Sequence, residues 1–240
     1  MIAASNDERR DDTEHPANTT RQRYFSDAKP ILLRLIDPRG LRILDLGCGG
    51  GHNGALLRRA GARSVAGVER DADACAMARA NLDVVAQCDL AEFDPTVFGP
   101  EPFDALLASD VLEHLHDPEI VLERALRQLK PGGLVVASIP NVAHVVVFLN
   151  LLRKRWPRRD SGIFDRTHVR FFAKHDMIAL LEQQGLLVER VVPYYTRYRT
   201  IRLACLVLSL YVFRDFWARQ FLLVARKPAA ASPSDPRRDD

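Results

Sequence analysis

The chain has 240 residues, of which 47% are apolar and 27% charged, with a formal net charge of +3. Such a length and apolar content suit one globular domain with a substantial core, and so mild a charge gives no reason to expect a polyanionic partner. The four cysteines, Cys48, Cys75, Cys88 and Cys205, stand far apart, without the spacing of a disulfide framework or a metal site, so reduced thiols and metal-independent chemistry in the cytoplasm are expected.

Residues 1–23 mix acidic and basic side chains without an apolar run and read as a disordered tail rather than a signal peptide. A domain is expected over 24–227. Ser26 to Ile36 reads as a lead-in helix, and Leu41 to Leu46 as a buried strand. That strand enters Gly47-Cys48-Gly49-Gly50-Gly51, and from His52 to Arg59 the apolar spacing turns helical. A strand that feeds a helix through a glycine turn opens a doubly wound α/β domain, which binds its ligand at the carboxyl ends of its strands.

Strand and helix then alternate. Ser64 to Val68 is a strand, Asp71 to Asn81 a helix, and Val84 to Gln87 and Phe103 to Leu107 are strands. Asp117-Pro118 supplies a cap and a first-turn proline to a helix with a buried stripe at Leu122, Ala125, Leu126 and Leu129. Pro131-Gly132-Gly133 stops it, and Leu134 to Ile139 is a fifth strand. Residues 140–173 break the alternation and read as a cover inserted over the carboxyl edge of the sheet. Lys174 to Gln184 is again helical, Leu187 to Val192 and Phe221 to Ala225 complete the strands, and 228–240 is a second disordered tail. The longest apolar run, Leu203 to Phe213, falls well short of the ~20 residues that span a bilayer.

The glycine loop leaves two adenosine ligands in view. A dinucleotide fingerprint, G-x-G-x-x-G, fits at Gly47 and Gly49 but meets His52 in its third position. The alternative pattern, Asp45-x-Gly47-x-Gly49-x-Gly51, sets a carboxylate upstream, where it can receive the ammonium of S-adenosylmethionine directly or through water. Glu69, at the end of the second strand, can accept from ribose hydroxyls. Asp89 can accept from an adenine amino group, with Leu90 and the stem of Arg70 against the ring faces.

Taken in order, LDLGCGGG, GVERD, QCDL, FDALLASDVLEHL and LKPGGLVVASIPN resemble the class I S-adenosylmethionine-dependent methyltransferases over roughly residues 24–226. The resemblance implies a seven-stranded Rossmann-like sheet whose last strand runs antiparallel, S-adenosylmethionine as cofactor, and Ser109, Asp110 and His114 beside its methionine end, with Cys48 in the cofactor loop. SIPNVAH followed by FDRTHVRFF is similar to a bacterial subgroup associated with polysaccharide and glycolipid assembly, related to the ubiquinone-type O-methyltransferases. The implied reaction is methyl transfer to a small-molecule, hydroxyl-bearing acceptor, saccharide or lipid-linked.

A hydroxyl acceptor gains from a general base. His168, in a polar loop flanked by aromatics, is the preferred base, with Asp165 or Asp110 as its partner, and His144 is a second candidate. The basic run Arg153-Lys154-Arg155-Trp156-Pro157-Arg158-Arg159 reads either as a solvated helix end or as a contact with an anionic acceptor or the inner face of a membrane. No stacking aromatics or extended basic stripe point to nucleic acid. A nicotinamide-dependent oxidoreductase and a non-catalytic interaction module on the cofactor fold stand as the alternatives.

Overall fold

A computed structural model describes residues 28–195 and 214–229. Short turns of 3-10 helix at Pro30–Arg34, Pro95–Phe98, Leu112–His114 and Arg214–Trp217 punctuate its regular elements. The strands are β1 (Arg42–Leu46), β2 (Ser64–Glu69), β3 (Val84–Gln87), β4 (Phe103–Ser109), β5 (Leu129–Pro140), β6 (Leu187–Tyr194) and β7 (Gln220–Arg226). The helices are α1 (His52–Arg59), α2 (Ala72–Asn81), α3 (Pro118–Arg127), α4 (Val145–Leu152) and α5 (Lys174–Gln183).

The strands form one sheet in the order β3-β2-β1-β4-β5-β7-β6. The first five run parallel, and β7 pairs antiparallel with both β5 and β6. This is the expected doubly wound α/β sheet with an antiparallel last strand. Strand alternation sends Leu44 and Leu46 to one face, against Leu122 and Leu126 of α3 and Met177 and Leu181 of α5. Ile43 turns to the other face, against Leu57 of α1, Ala78 of α2 and Leu32 of the lead-in turn. Because both faces are covered, β1 and β4 are buried almost throughout, which is why they read as continuous apolar runs.

Local chemistry accounts for the helix starts. The Asp71 side chain accepts from the backbone N–H groups of Asp73 and Ala74, a cap worth about 1 kcal/mol. Asp176 Oδ2 accepts from the Ala173 N–H at the start of α5. Gly51 precedes α1 with φ 77°, and a Cβ there would stand 3.0 Å from Asn81 Cβ and 3.1 Å from Ala78 Cα. Its bareness therefore serves the packing of α1 on α2 as much as any ligand.

Three expectations change. Leu129 belongs to β5, not to the stripe of α3; it pairs with Phe103, and a register shift then carries Pro131-Gly132-Gly133 as a bulge inside the strand. Val121 completes the buried face of α3 instead. The lead-in is a 3-10 turn in its described part, with Pro30 at its first position. Within 140–173 lie α4 and two isolated bridges, Asn141 with Phe172 and Arg159 with Asp165. The tail at 1–23, the run Leu203 to Phe213 and, past Ala229, the second tail lie outside the described residues. Among those described, no helix is long and apolar enough to cross a membrane.

Gly67 in the middle of β2 tests the packing of the glycine loop. A Cβ there would stand 2.6 Å from Cys48 Sγ and 2.6 Å from Leu82 Cδ1. Gly67→Ala is expected to lower stability by about 1–3 kcal/mol, read as a lower urea midpoint with an unchanged slope. An unaltered midpoint would show that the loop and α2 do not meet there.

Candidate active site

The strand order reverses between β1 and β4, and ligands of such sheets bind outside the carboxyl ends at that point. Four sequence-predicted carboxylates stand at strand ends along this edge: Asp45 on β1, Glu69 on β2, Asp89 after β3 and Asp110 after β4. Their environments differ sharply.

Asp45 is 1% exposed, and its Oδ2 has no hydrogen-bond partner. Burial, reinforced by the Glu69 charge, pushes its carboxyl up to about 8. The expected open carboxylate is thus a sealed acid that carries its proton at neutral pH. Glu69 is occupied by backbone: Oε2 accepts from Gly49 N–H at 2.9 Å, and Oε1 accepts from Arg70 and Asp71 N–H. It fastens the glycine loop to the end of β2, so ribose hydroxyls would have to share those oxygens. Asp89 is more open, with Oδ1 accepting from Ala91 N–H and Oδ2 3.8 Å from Arg70 Nη1. Leu90 is buried in the main core. The Cys48 thiol is buried, and burial with the neighbouring carboxyls raises it far above the usual thiol range, so it is inert packing.

Asp110 sits at φ 56°, a backbone conformation that a non-glycine residue adopts when its surroundings hold it. Its N–H donates to Ser138 O at 3.0 Å and lies 3.1 Å from Ser138 Oγ, and its carboxylate accepts from Ser138 Oγ at 2.8 Å. Lys29 Nζ and Gln220 Nε2 also donate to that carboxylate, and Lys29 Nζ reaches Ser138 Oγ at 3.0 Å. Ser109 Oγ is 3.2 Å from Ser138 Oγ. Asp110 is therefore the hub of a polar cluster and not a partner of His168. Lys29, Ser138 and Gln220 escaped sequence reasoning. Ser138 alone left a trace, as a hydroxyl in an otherwise apolar strand.

The loop after β4 meets the 140–173 segment directly. Val169 and Arg170 N–H both donate to Glu113 O at 3.0 Å. The Thr167 carbonyl accepts from His114 Nδ1 at 3.2 Å, which fixes the proton of that ring on Nδ1. Asp165 is consumed within its own loop, since Oδ1 accepts from Thr167 N–H at 2.9 Å and from Thr167 Oγ1 at 2.7 Å. The expected Asp165–His168 side-chain pair is thus replaced by a turn that holds His168 from below.

His168 instead faces Glu113. Nε2 lies 3.9 Å from Glu113 Oε1, both side chains are almost fully buried, and neither Glu113 oxygen has a hydrogen-bond partner. Burial, then the Asp110 charge, drives the Glu113 carboxyl well above its ordinary range. Burial also lowers His168, against a bond to the Ile163 carbonyl that raises it. Both members are thereby pushed toward their neutral forms. The His114 ring stands edge-on to His168 at 4.8 Å. Glu113 and His168 lie on the wall of a small crevice that Arg170, Pro140, Val142, Ile163, Phe171 and Phe172 also line.

Glu113, His114 and His168 each offer one ligand atom within 4.8 Å of the others. The fold brings His168, 54 positions beyond His114 in the chain, to Glu113 and His114, a proximity that no spacing in the sequence shows. His144 has a different use: Nδ1 accepts from Val146 N–H at 3.1 Å as the cap of α4. Its other ring nitrogen bonds to the Trp217 carbonyl, and burial lowers its pKa to about 4. With both nitrogens engaged, it is a structural histidine.

The sealed Asp45, with an orphan oxygen behind a glycine loop, suits a ligand that brings positive charge to that loop, as the ammonium and sulfonium of S-adenosylmethionine do. A cation held there lowers the carboxyl from about 8, so binding should release a proton below that pH. Affinity for S-adenosylmethionine is then expected to rise as pH increases toward 8, by up to about tenfold per unit. Calorimetry in buffers of different ionisation enthalpy counts the proton, and Asp45→Asn should abolish both effects. A flat affinity with no proton release would separate Asp45 from the ligand.

A profile of the methyltransferase domain family matches residues 19–191. The ubiquinone biosynthesis O-methyltransferase of Neisseria meningitidis is 30% identical over 179 residues, which cover 67% of this chain and 71% of that protein. The protein of the same name from Nitrobacter winogradskyi is 40% identical over 156 residues, covering 61% of this chain and 57% of its own. Among solved structures, an S-adenosylmethionine-dependent methyltransferase from Mesorhizobium loti superposes with a TM-score of 0.60 at 20% identity, over 82% of this chain and 96% of that one. Magnesium protoporphyrin IX methyltransferase from Synechocystis, solved with bound SAH, gives 0.59 at 15% identity, over 88% and 95%. The strand order, the glycine loop and the family match lead to one conclusion: this chain belongs to the methyltransferase domain family and is a class I S-adenosylmethionine-dependent methyltransferase.

Proposed function

We propose that this methyltransferase acts on a hydroxyl of a small-molecule acceptor, with His168 as the base that takes the hydroxyl proton. The observation that carries the reading is a buried imidazole, held toward its neutral form and bonded to the Ile163 carbonyl, 3.9 Å from the buried Glu113 carboxyl on the wall of a small crevice. The names of the Neisseria and Nitrobacter relatives support an oxygen acceptor.

S-adenosylmethionine supplies a methyl group already activated by its sulfonium, so the chain's task is to align the acceptor, exclude water and manage one proton. The bond of one His168 nitrogen to the Ile163 carbonyl selects the tautomer and leaves the other nitrogen as the proton acceptor. Glu113 is a positioning group beside it. As the ring takes the hydroxyl proton, the charge it gains lies 3.9 Å from the buried Glu113 carboxyl. The Asp165–Thr167 turn and the two backbone bonds to Glu113 O hold the 140–173 segment over this pair as a cover.

The two unpaired Glu113 oxygens also favour a second reading, in which a divalent cation held by Glu113, His114 and His168 polarises the acceptor. Chelation separates the two. Turnover that survives chelator treatment assigns His168 to proton transfer, and loss restored by Mg2+ or Mn2+ assigns the trio to the cation.

His168→Ala is expected to lower kcat by about 100-fold or more while affinity for S-adenosylhomocysteine stays nearly constant. Because burial holds the imidazole below its ordinary value of 6.5, kcat should stay level as pH falls to that value and decline only below it, as the base becomes protonated. A decline that begins above pH 7, or equal loss of ligand affinity and turnover, would remove His168 from the reaction.

A further inference from the structure

The α4 helix rests on the body mainly through Val147, packed in a small cluster with Ile163 and Phe164. Its remaining large side chains face outward: Val146, Phe148, Leu149, Leu151 and Leu152 are all exposed, Phe148 by 56% and Leu152 by 64%. Trp156 and Phe171 extend this surface, with ring centroids 5.3 Å apart in an edge-on contact. Apolar side chains grouped in this way mark an interaction surface.

Charge says what that surface meets. Immediately after α4 come Arg153, Lys154, Arg155, Arg158 and Arg159, all exposed and none in an ion pair with a described residue. They are not needed as a helix cap, because Lys154 N–H donates to Leu151 O at 2.8 Å and Arg155 N–H to Asn150 O at 2.9 Å, with Lys154 at φ 55°. A second copy of the chain, laid face to face, would bring these five cations against their own counterparts. A layer with an apolar interior and anionic headgroups satisfies both halves of the patch at once. Phe171 belongs to this surface and also lines the small crevice that holds His168, so the patch adjoins that crevice.

The geometry points to α4 and the basic run after it as a monotopic docking surface for an anionic phospholipid bilayer, with α4 lying in the headgroup boundary. This inference is independent of which group takes the hydroxyl proton.

Flotation of the full chain with phospholipid vesicles tests it. Binding to vesicles containing phosphatidylglycerol should exceed binding to pure phosphatidylcholine by about tenfold or more and weaken as salt is raised. Phe148→Glu with Leu152→Glu, and separately Arg153→Glu with Arg155→Glu, should each abolish it while affinity for S-adenosylhomocysteine is retained. Equal binding to both lipids, or binding that survives either pair of substitutions, would overturn the proposal. So would a dimer in sedimentation analysis that the same substitutions dissociate, with no vesicle binding. Should a double variant lose S-adenosylhomocysteine binding, Trp156 emission in Trp217→Phe protein decides instead. A blue shift on adding phosphatidylglycerol vesicles, reversed by salt, supports the proposal, and an unchanged spectrum overturns it.

Discussion

Two carboxyl groups, Asp45 and Glu113, lie sealed in the protein with oxygen atoms that no neighbour hydrogen-bonds. Buried acids without partners are costly, and a native chain that keeps them has a use for them. They stand near the two ends of the functional edge. Asp45 lies behind the glycine loop, where a cationic nucleoside is to be held, and Glu113 lies beside the imidazole that faces the acceptor crevice. In both places burial is the main cause that holds the acid toward its neutral form.

The sheet supports this arrangement by placing Asp45 on β1 and Glu113 in the turn that follows β4, both strands being fixed by the core. Leu44 and Leu46 anchor β1, Leu106 and Ala108 anchor β4, and Ala137 and Ile139 anchor β5, all in one cluster. From those fixed ends, short polar links cross between segments distant in sequence. Lys29, Ser138 and Gln220 converge on Asp110, and Thr167 and Val169 tie the 140–173 segment to His114 and Glu113. The lead-in and the 140–173 segment are thus each tied by hydrogen bonds to the residues that follow β4.

The fold was legible because its signals are local. Apolar runs, Asp71 and Asp117 before their helices, and the glycine loop each declare themselves within a few residues. Leu129 misleads for a physical reason: its spacing continues the α3 stripe, but pairing with Phe103 in the sheet outweighs one more apolar contact on the helix. The strand-end carboxylates were legible as positions and less so in state, since nothing in the sequence tells an open Asp45 from a sealed one. The acceptor side was harder. The choice of His168 rested on its polar loop, but its partner Glu113 comes from 55 positions away, and Asp165 looked like the partner only because it is near in sequence. His144 carries the same side chain and spends both nitrogens on structure. Chain-distant pairings such as these are made by the packed core and leave no periodic trace.

The central claim is that the edge between β1 and β4 holds S-adenosylmethionine, with its charged end at the glycine loop and its adenine beside Asp89. A crystal structure of the chain grown with S-adenosylhomocysteine tests this most directly. The account predicts the nucleoside across the ends of β1, β2 and β3, its ribose at Glu69 and its amino-acid end at the loop of Gly47 to Gly51. A ligand bound elsewhere, or one whose adenine lies away from Asp89, would contradict it.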